Sequence, residues 1–470
     1  MSTEEFVFSV EMLETADVLC LFGFDAVKIK KQLESWTSLG DKQIVFIDKK
    51  RTDEFEDFLE ISRKRVFQKF SYLVFPFLKE MEKQTMESLL LQYQAMEWHT
   101  HLEASDYQDL GIKVFRNLCA NHTKKTDIKR FPLLKDCLKG IPAFICGASP
   151  SLKKAATLIG KMQDKGVIFA GGSAIGAASS YSIPIHIAAG IDPSPSYERC
   201  VMQGSFEAPF FYQSRFSSEL LDRMQGPLFQ VPSHSGLNID ENFLGFDGGC
   251  TVTTFCASLA LYFGCTPIIF TGMDLAYEAG GGKYLGEISL GSSVLYEEKT
   301  TQKDWVIAAR WLENLAANHN HVPFYRLSEE GLHIEGIQKI SFEELEKMAL
   351  PSYDVQGMVH VLKSLEGVSD SFLEERLKKV DAIQKSLKDS LACVERILFL
   401  FQESYPQDPS SQGTFILHLF ALYDEIVYQY LLEPLWKVWR FPLERNLSNS
   451  YARQIHQWLF FKRVLENHLL

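Results

Sequence analysis

Short apolar runs closed by small residues set the rhythm of the middle of the chain. They are PAFIC from Pro142, GVIFAGG from Gly166, PIHIAAGID from Pro184, PLFQV from Pro227 and PIIFTGMD from Pro267. Each is strand-length, and Gly, Pro or Asp bounds it. Between them SLKKAATLIGKMQ from Ser151 and TTFCASLALYFG from Thr253 have helical spacing. Apolar strands alternating with helices predict a mostly parallel sheet with helices on both faces. Upstream, DVLCLFGFD from Asp17 and KQIVFIDKK ending near Asp48 read as strands, with AVKIKKQLESW as a helix between them and FSYLVFPF as a third strand. Downstream, Leu373, Leu377, Val380, Leu387, Leu391, Val394 and Leu398 recur at three- and four-residue steps, one face of a long helix. FILHLFALYDEIVYQYLLEPLWKVW from Phe415 is a second helical pattern, richer in aromatics. The expected fold class is α/β, with a small α/β domain over 1–135, a central parallel-sheet domain over 136–344 and a helical bundle over 345–470.

Composition agrees with several folded domains. The chain has 470 residues, 46% of them hydrophobic and 23% charged. Its formal net charge of −12 excludes nucleic-acid binding by bulk attraction, so any anion site must be local. Nine scattered cysteines, with no CxxC pair and no zinc spacing, suit a reducing, cytoplasmic compartment. The N-terminus carries acids where a signal peptide has Lys or Arg, and no apolar run reaches the roughly 20 residues that span a bilayer. LWKVWRFPLER from Leu435 interleaves Trp with basic residues, a pattern open to a membrane surface or partner but more often packed inward.

The chemistry is expected where strands end. Gly147, Ala148, Ser149 and Ser151 form a small-residue turn into a helix, where backbone N–H groups and the positive end of the helix dipole favour a phosphate. Gly171, Gly172 and Ser173 follow the next strand, and Gly248, Gly249, Cys250 and Thr251 open a later helix. In an open parallel sheet these turns lie on one edge and make one cleft. Asp192 and Asp274 also stand at strand ends, where an acid can bind ribose, activate an acceptor hydroxyl, hold a metal or simply cap a turn. Asp48 takes a similar place in the first region, without a glycine fingerprint.

AFICGASPSL, GIDPS, GGCTVTTFCASLALYFGCTPIIFTGMDLAYE and RLSEEGLHIEGI, in that order, resemble the central domain of the motility-associated factor (Maf) family of flagellin glycosyltransferases. That domain is related to the MptE-like 6-hydroxymethylpterin diphosphokinases. The resemblance covers roughly residues 140 to 340. It implies a Rossmann-like, sialyltransferase-like centre and transfer of a nonulosonic acid from a CMP-activated donor to Ser/Thr of a protein acceptor such as flagellin. It places the nucleotide on Gly147–Leu152, Gly171–Ser173 and Gly248–Thr251, and puts Asp274 at the strand-end acid. Ser149 stands where the family prefers Gly, which is tolerable only with a negative φ.

The transfer needs a base for the acceptor hydroxyl. Asp274, Asp192 and His333 are the expected catalytic residues, with His186 and His234 as further histidines and Lys283 or Arg199 for phosphate charge. HNH at His319 has metal-like spacing but sits at a helix end, and no metal site is expected. No cofactor is implied beyond the sugar nucleotide. Mg²⁺ enters only under the alternative of diphosphate transfer to a pterin-like alcohol, where Asp192, Asp247 and Asp274 would serve it. A third reading is a nucleotide-binding scaffold without chemistry. Assembly into oligomers is left open, because an apolar helix face reads alike in a core and at an interface.

Overall fold

The computed structural model describes residues 15–25, 29, 42–48, 54–124, 128–200, 207–232, 246–277, 282–284, 287–288, 293–327, 331–364, 370–403, 409–444 and 450–469. The chain divides into two compact units, Met1–Gln108 with Pro434–Gln457, and Asp109–Glu433 with Trp458–Leu470.

In the first unit, β1 (Val18–Phe22), β2 (Gln43–Ile47) and β3 (Phe70–Val74) form a parallel sheet in the order β2-β1-β3. All five residues of β1 are buried, as befits a central strand covered on both faces. Phe22, Phe58 and Tyr93 pack edge-on beneath it, Phe58 from α1 (Glu54–Lys64) and Tyr93 from α2 (Glu80–His122). Each such fully buried ring contributes about 1.5–3 kcal/mol. The strands fall where the apolar runs put them; the predicted helix at 26–36 lies mostly outside the described residues. The boundary between the units, after Gln108, falls inside α2.

The second unit is built on eight parallel strands. Five follow the predicted runs: β4 (Ala143–Cys146), β5 (Val167–Gly171), β6 (Ile187–Gly190), β8 (Leu228–Val231) and β9 (Ile268–Thr271), with β7 (Phe210–Gln213) inserted before β8. After the antiparallel hairpin β10 (Ser293–Tyr296) and β11 (Lys299–Gln302) come β12 (Phe324–Arg326) and β13 (Gln338–Lys339). The order is β13-β12-β9-β4-β5-β6-β7-β8. The helices are α3 (Ser151–Lys161) after β4, α4 (Ser173–Ser180) after β5, α5 (Val252–Tyr262) before β9 and α6 (Lys303–Asn318) before β12. α3 and α4 pack on Phe144, Cys146, Ile168 and Ala188, one face of the sheet. Phe263, just past α5, lies against Phe169 and Phe211 of the other face. Strands covered twice are buried at every position, hence the near-continuous apolar runs.

Helix α7 (Asp370–Glu403) follows the predicted stripe in extent, with Leu387 and Val394 of it buried and Leu373, Val380, Leu391 and Leu398 half-buried, but the buried line is offset from it in the first turns. Leu377 is exposed, while Phe372, Arg376, Ile383, Ser386, Leu387, Ser390, Val394 and Ile397 are buried. Polar anchors fix the helix's rotation: Arg376 donates to Gln230 Oε1 of β8 at 2.5 Å, and Ser386 Oγ accepts from Val427 N at 3.1 Å. Trp439 of the LWKVW segment packs on Phe67 within the first unit, centroids 5.3 Å apart. Among the described residues no single helix is long and apolar enough to cross a membrane; one bent pair, Ser411–Tyr423 and Tyr428–Arg440, reaches that length and composition only jointly.

Candidate nucleotide site at the sheet edge

Chain order leaves β4 in two directions, through β5 to β8 on one side and to β9, β12 and β13 on the other. The reversal between β4 and β9 is the switch point where open α/β sheets form a crevice. Here the protein's own bonds cross it. Gly147 N donates to Thr271 O at 2.7 Å and Ser149 N to Gly272 O at 2.9 Å. A Cβ on Gly147 would lie 2.1 Å from Gly272 O, so only glycine allows the two turns to approach. Ser149 is not among the positive-φ residues, and its hydroxyl accepts from Asp274 N at 3.2 Å. Ser151 Oγ donates to Asp274 Oδ1 at 2.6 Å. The N–H groups of Gly147 and Ser149, expected to face an anion, therefore face β9.

Asp274 is 2% exposed, and its backbone is anchored as firmly as its carboxylate. Leu332 N donates to Asp274 O at 2.9 Å, and Arg326 Nη1 to Leu332 O at 2.5 Å. Burial lowers the pKa of the Arg326 guanidinium, and the charge of Asp274 pulls it back up. The β10–β11 hairpin brackets the following residues. Thr301 Oγ1 donates to Leu275 O at 2.6 Å, Tyr277 N to Thr300 O at 2.8 Å and Gln302 Nε2 to the Tyr277 hydroxyl at 2.5 Å.

Over β5 to β7 the arrangement is different. Val252, the first residue of α5, sits on the turn after β5: its Cγ2 is 2.3 Å from where a Gly171 Cβ would be, and its Cγ1 is 3.3 Å from that of Gly172. The starts of α4 and α5 are thereby brought together. Thr251 and Thr254 cap α5 reciprocally, Thr251 N donating to Thr254 Oγ1 and Thr254 N to Thr251 Oγ1. The next N–H groups, of Val252 and Thr253, and the first of α4, of Ser173 and Ala174, have no protein acceptor among the described residues. Two helix N-termini with unmet donors side by side make a local positive field in an acidic protein.

Helix α2 fixes the rim of this shelf. Asn117 Nδ2 donates to Pro193 O (3.0 Å) and Arg215 O (3.1 Å), and Asn121 Nδ2 to Ser214 O (2.9 Å) and Phe216 O (2.7 Å). These two asparagines hold the loops after β6 and β7. Sequence reasoning missed them, although a signal was there: Asn at i and i+4 amid Phe115, Leu118 and Cys119 puts amides on a buried helix face.

Residues 116–280 match the family model of the 6-hydroxymethylpterin diphosphokinase MptE-like proteins. A solved structure of the MAf glycosyltransferase from Magnetospirillum magneticum AMB-1 is similar over 90% of this chain and 69% of that one, with a TM-score of 0.53 and 14% identity. The fold is Maf-like. Curated protein sequences contain no match to the chain.

Within the Maf-like fold the sequence-predicted residues fall into separate places. Gly171, Gly172, Ser173, Gly248 and Thr251 come together on the shelf; Gly147, Ala148, Ser149, Ser151 and Asp274 gather at the switch point. Cys250 is exposed. Asp192 is exposed and accepts from Ser194 N at 2.8 Å, an Asx turn. His333 is exposed, 3.4 Å from Glu335 Oε2, on the loop that Leu332 ties to Asp274. His186 precedes β6 at the opposite edge; its Nδ1 accepts from Ile168 N at 3.0 Å, and burial pushes its pKa down to about 4. Asp247 accepts from Gly249 N and Trp311 Nε1. Among the described residues no three His, Cys, Asp or Glu side chains converge to hold a metal. His234 lies outside the described residues, as do the side chains of Arg199 and Lys283.

Proposed function

We propose that this chain is a glycosyltransferase that moves a nonulosonic, sialic-acid-like sugar from a CMP-activated donor to a Ser/Thr hydroxyl of a protein acceptor, a flagellin-like protein in the cytoplasm being the expected partner. The observation that carries the reading is the meeting of the α4 and α5 N-termini at Gly171 and Val252, with four N–H groups that have no protein acceptor among the described residues. Such a shelf suits the phosphate of a nucleotide. The likeness to a MAf glycosyltransferase and the MptE-like match support it, since a sugar nucleotide and a diphosphate donor both present phosphate.

In this reading the acceptor oxygen bonds to the sugar's anomeric carbon as the bond to the CMP phosphate oxygen breaks. CMP leaves with both electrons of that bond, stabilised by the shelf's N–H groups. The acceptor proton passes to an exposed group at the same edge, Asp192 or His333. Asp274, enclosed by Ser151 and Leu332, acts as a positioning residue for the turn after β4.

Calorimetric titration tests this. Binding of CMP without added Mg²⁺ supports it. Binding of ATP or GTP with Mg²⁺ and not of CMP replaces it with diphosphate transfer to a pterin-like alcohol, which the MptE-like match favours. Binding of neither leaves a scaffold.

A further inference from the structure

One buried polar side chain on the shelf has no role in the account above. Gln213 ends β7, is 7% exposed, and its carboxamide has no hydrogen-bond partner among the described residues. Phe211, two residues earlier on the same strand, packs against Phe229 and Phe263, so strand alternation puts Gln213 on the α5 face at the sheet's C-terminal edge. There its Nε2 lies against the turn that opens α5. A Cβ added to Gly248 would come within 2.8 Å of that nitrogen and 2.7 Å of Phe255 Cδ2, so Gly248 is bare where the amide and the ring converge.

A carboxamide carries two donors and an acceptor. The side chain is largely buried, yet its amide atoms are not sealed off from the open side of the turn, so a ligand on the shelf can reach them, whereas a leucine or methionine would fill the same space and offer it no bond. The amide persists beside two helix starts whose N–H groups are also unmet. A phosphate oxygen would satisfy the N–H groups, but it offers no donor to the Gln213 carbonyl. A neutral group that both donates and accepts satisfies the whole amide.

We propose that Gln213 is a ligand-contacting residue that pairs, through its carboxamide, with a neutral donor–acceptor group of a pyrimidine nucleoside monophosphate whose phosphate rests on α4 and α5. The proposal rests on the nucleotide reading above. The group is a ribose hydroxyl or the polar edge of the base.

The test is titration of CMP, 2′-deoxy-CMP and UMP into the full-length wild-type and Q213L proteins, with thermal melts of both. Q213L is expected to bind CMP about 10-fold more weakly and to melt no lower than wild type. The nucleotide whose affinity the substitution leaves unchanged lacks the contacted group: deoxy-CMP points to the ribose, UMP to the base. A lower melting temperature with unchanged CMP affinity makes Gln213 structural and overturns the proposal. A folded Q213L that binds CMP as tightly as wild type also overturns it, and leaves the nucleotide reading standing. A wild-type protein that binds none of the three overturns both. Q213M, with similar reach and no amide, replaces Q213L if the latter does not fold.

Discussion

The crevice between β4 and β9 and the shelf over β5 to β7 start from the same kind of sequence, an apolar strand running into small residues and then a helix. In the crevice, Gly147 and Ser149 direct their N–H groups to carbonyls of the turn after β9, and Ser149, Ser151 and Asp274 close the remaining polar positions on one another. On the shelf, Val252 fills the space beside Gly171 with a hydrocarbon side chain, which can take no hydrogen bond, so the neighbouring N–H groups stay unmet. A glycine-rich turn is therefore a latch or a ligand cradle according to what a distant segment brings to it. Polar partners close it, and apolar ones leave it open.

The largest effect is expected from Gly147→Ala, which would put a methyl group against backbone that cannot move aside. It should cost about 3 kcal/mol in denaturant unfolding; a near-neutral result would mean the latch is soft. Asp274→Ala leaves Ser151 and the backbone around it without their charged partner, with an expected loss of about 2–3 kcal/mol. If the latch only positions, transfer in this variant falls together with stability and recovers in part in Asp274→Asn. Full activity in a folded Asp274→Ala protein would remove the latch from the site.

His186 separates stability from site chemistry. Its folded-state pKa, lowered to about 4, lies below the unfolded value, so the unfolded chain binds the proton first. The contribution is intact above about pH 6.5 and is lost as pH falls toward 4, about 2 kcal/mol between pH 7 and 5. In His186→Gln that slope should shrink while the pH dependence of nucleotide binding stays the same; a change in binding would tie the opposite edge to the shelf. The smallest effect is expected from Ser173→Ala, which removes a hydroxyl at the start of α4 but no buried bond. Nucleotide affinity should drop a few-fold, about 1 kcal/mol, with an unchanged melting temperature.

The central strands were legible because burial on both faces demands unbroken apolar runs, and the turns because parallel strands end at one edge. Strands β7, β12 and β13 and the asparagines of α2 were not, nor were three longer-range features. Helix α2 mixes apolar and polar residues round its circumference, so its periodicity is weak although it runs from Glu80 to His122. The rotation of α7 depends on Arg376 and Ser386, whose burial is stabilised by partners far along the chain. The closing of the β4 turn rests on the Ser151–Asp274 contact, which spans 123 residues. Local pattern gives the strand and its turn, but not which remote group will reach across.

The two asparagines of α2 bear on where the protein can be cut. A fragment starting at Gly140, where the glycine and proline punctuation begins, would carry all eight strands but leave the carbonyls of Pro193, Ser214, Arg215 and Phe216 without their donors. One starting at Asp109 keeps them, and to be whole it must also retain the far C-terminus, where His468 meets Phe115 with ring centroids 4.9 Å apart. The compact unit that holds the shelf is thus discontinuous in sequence, and truncation series read from one end alone will misplace its borders.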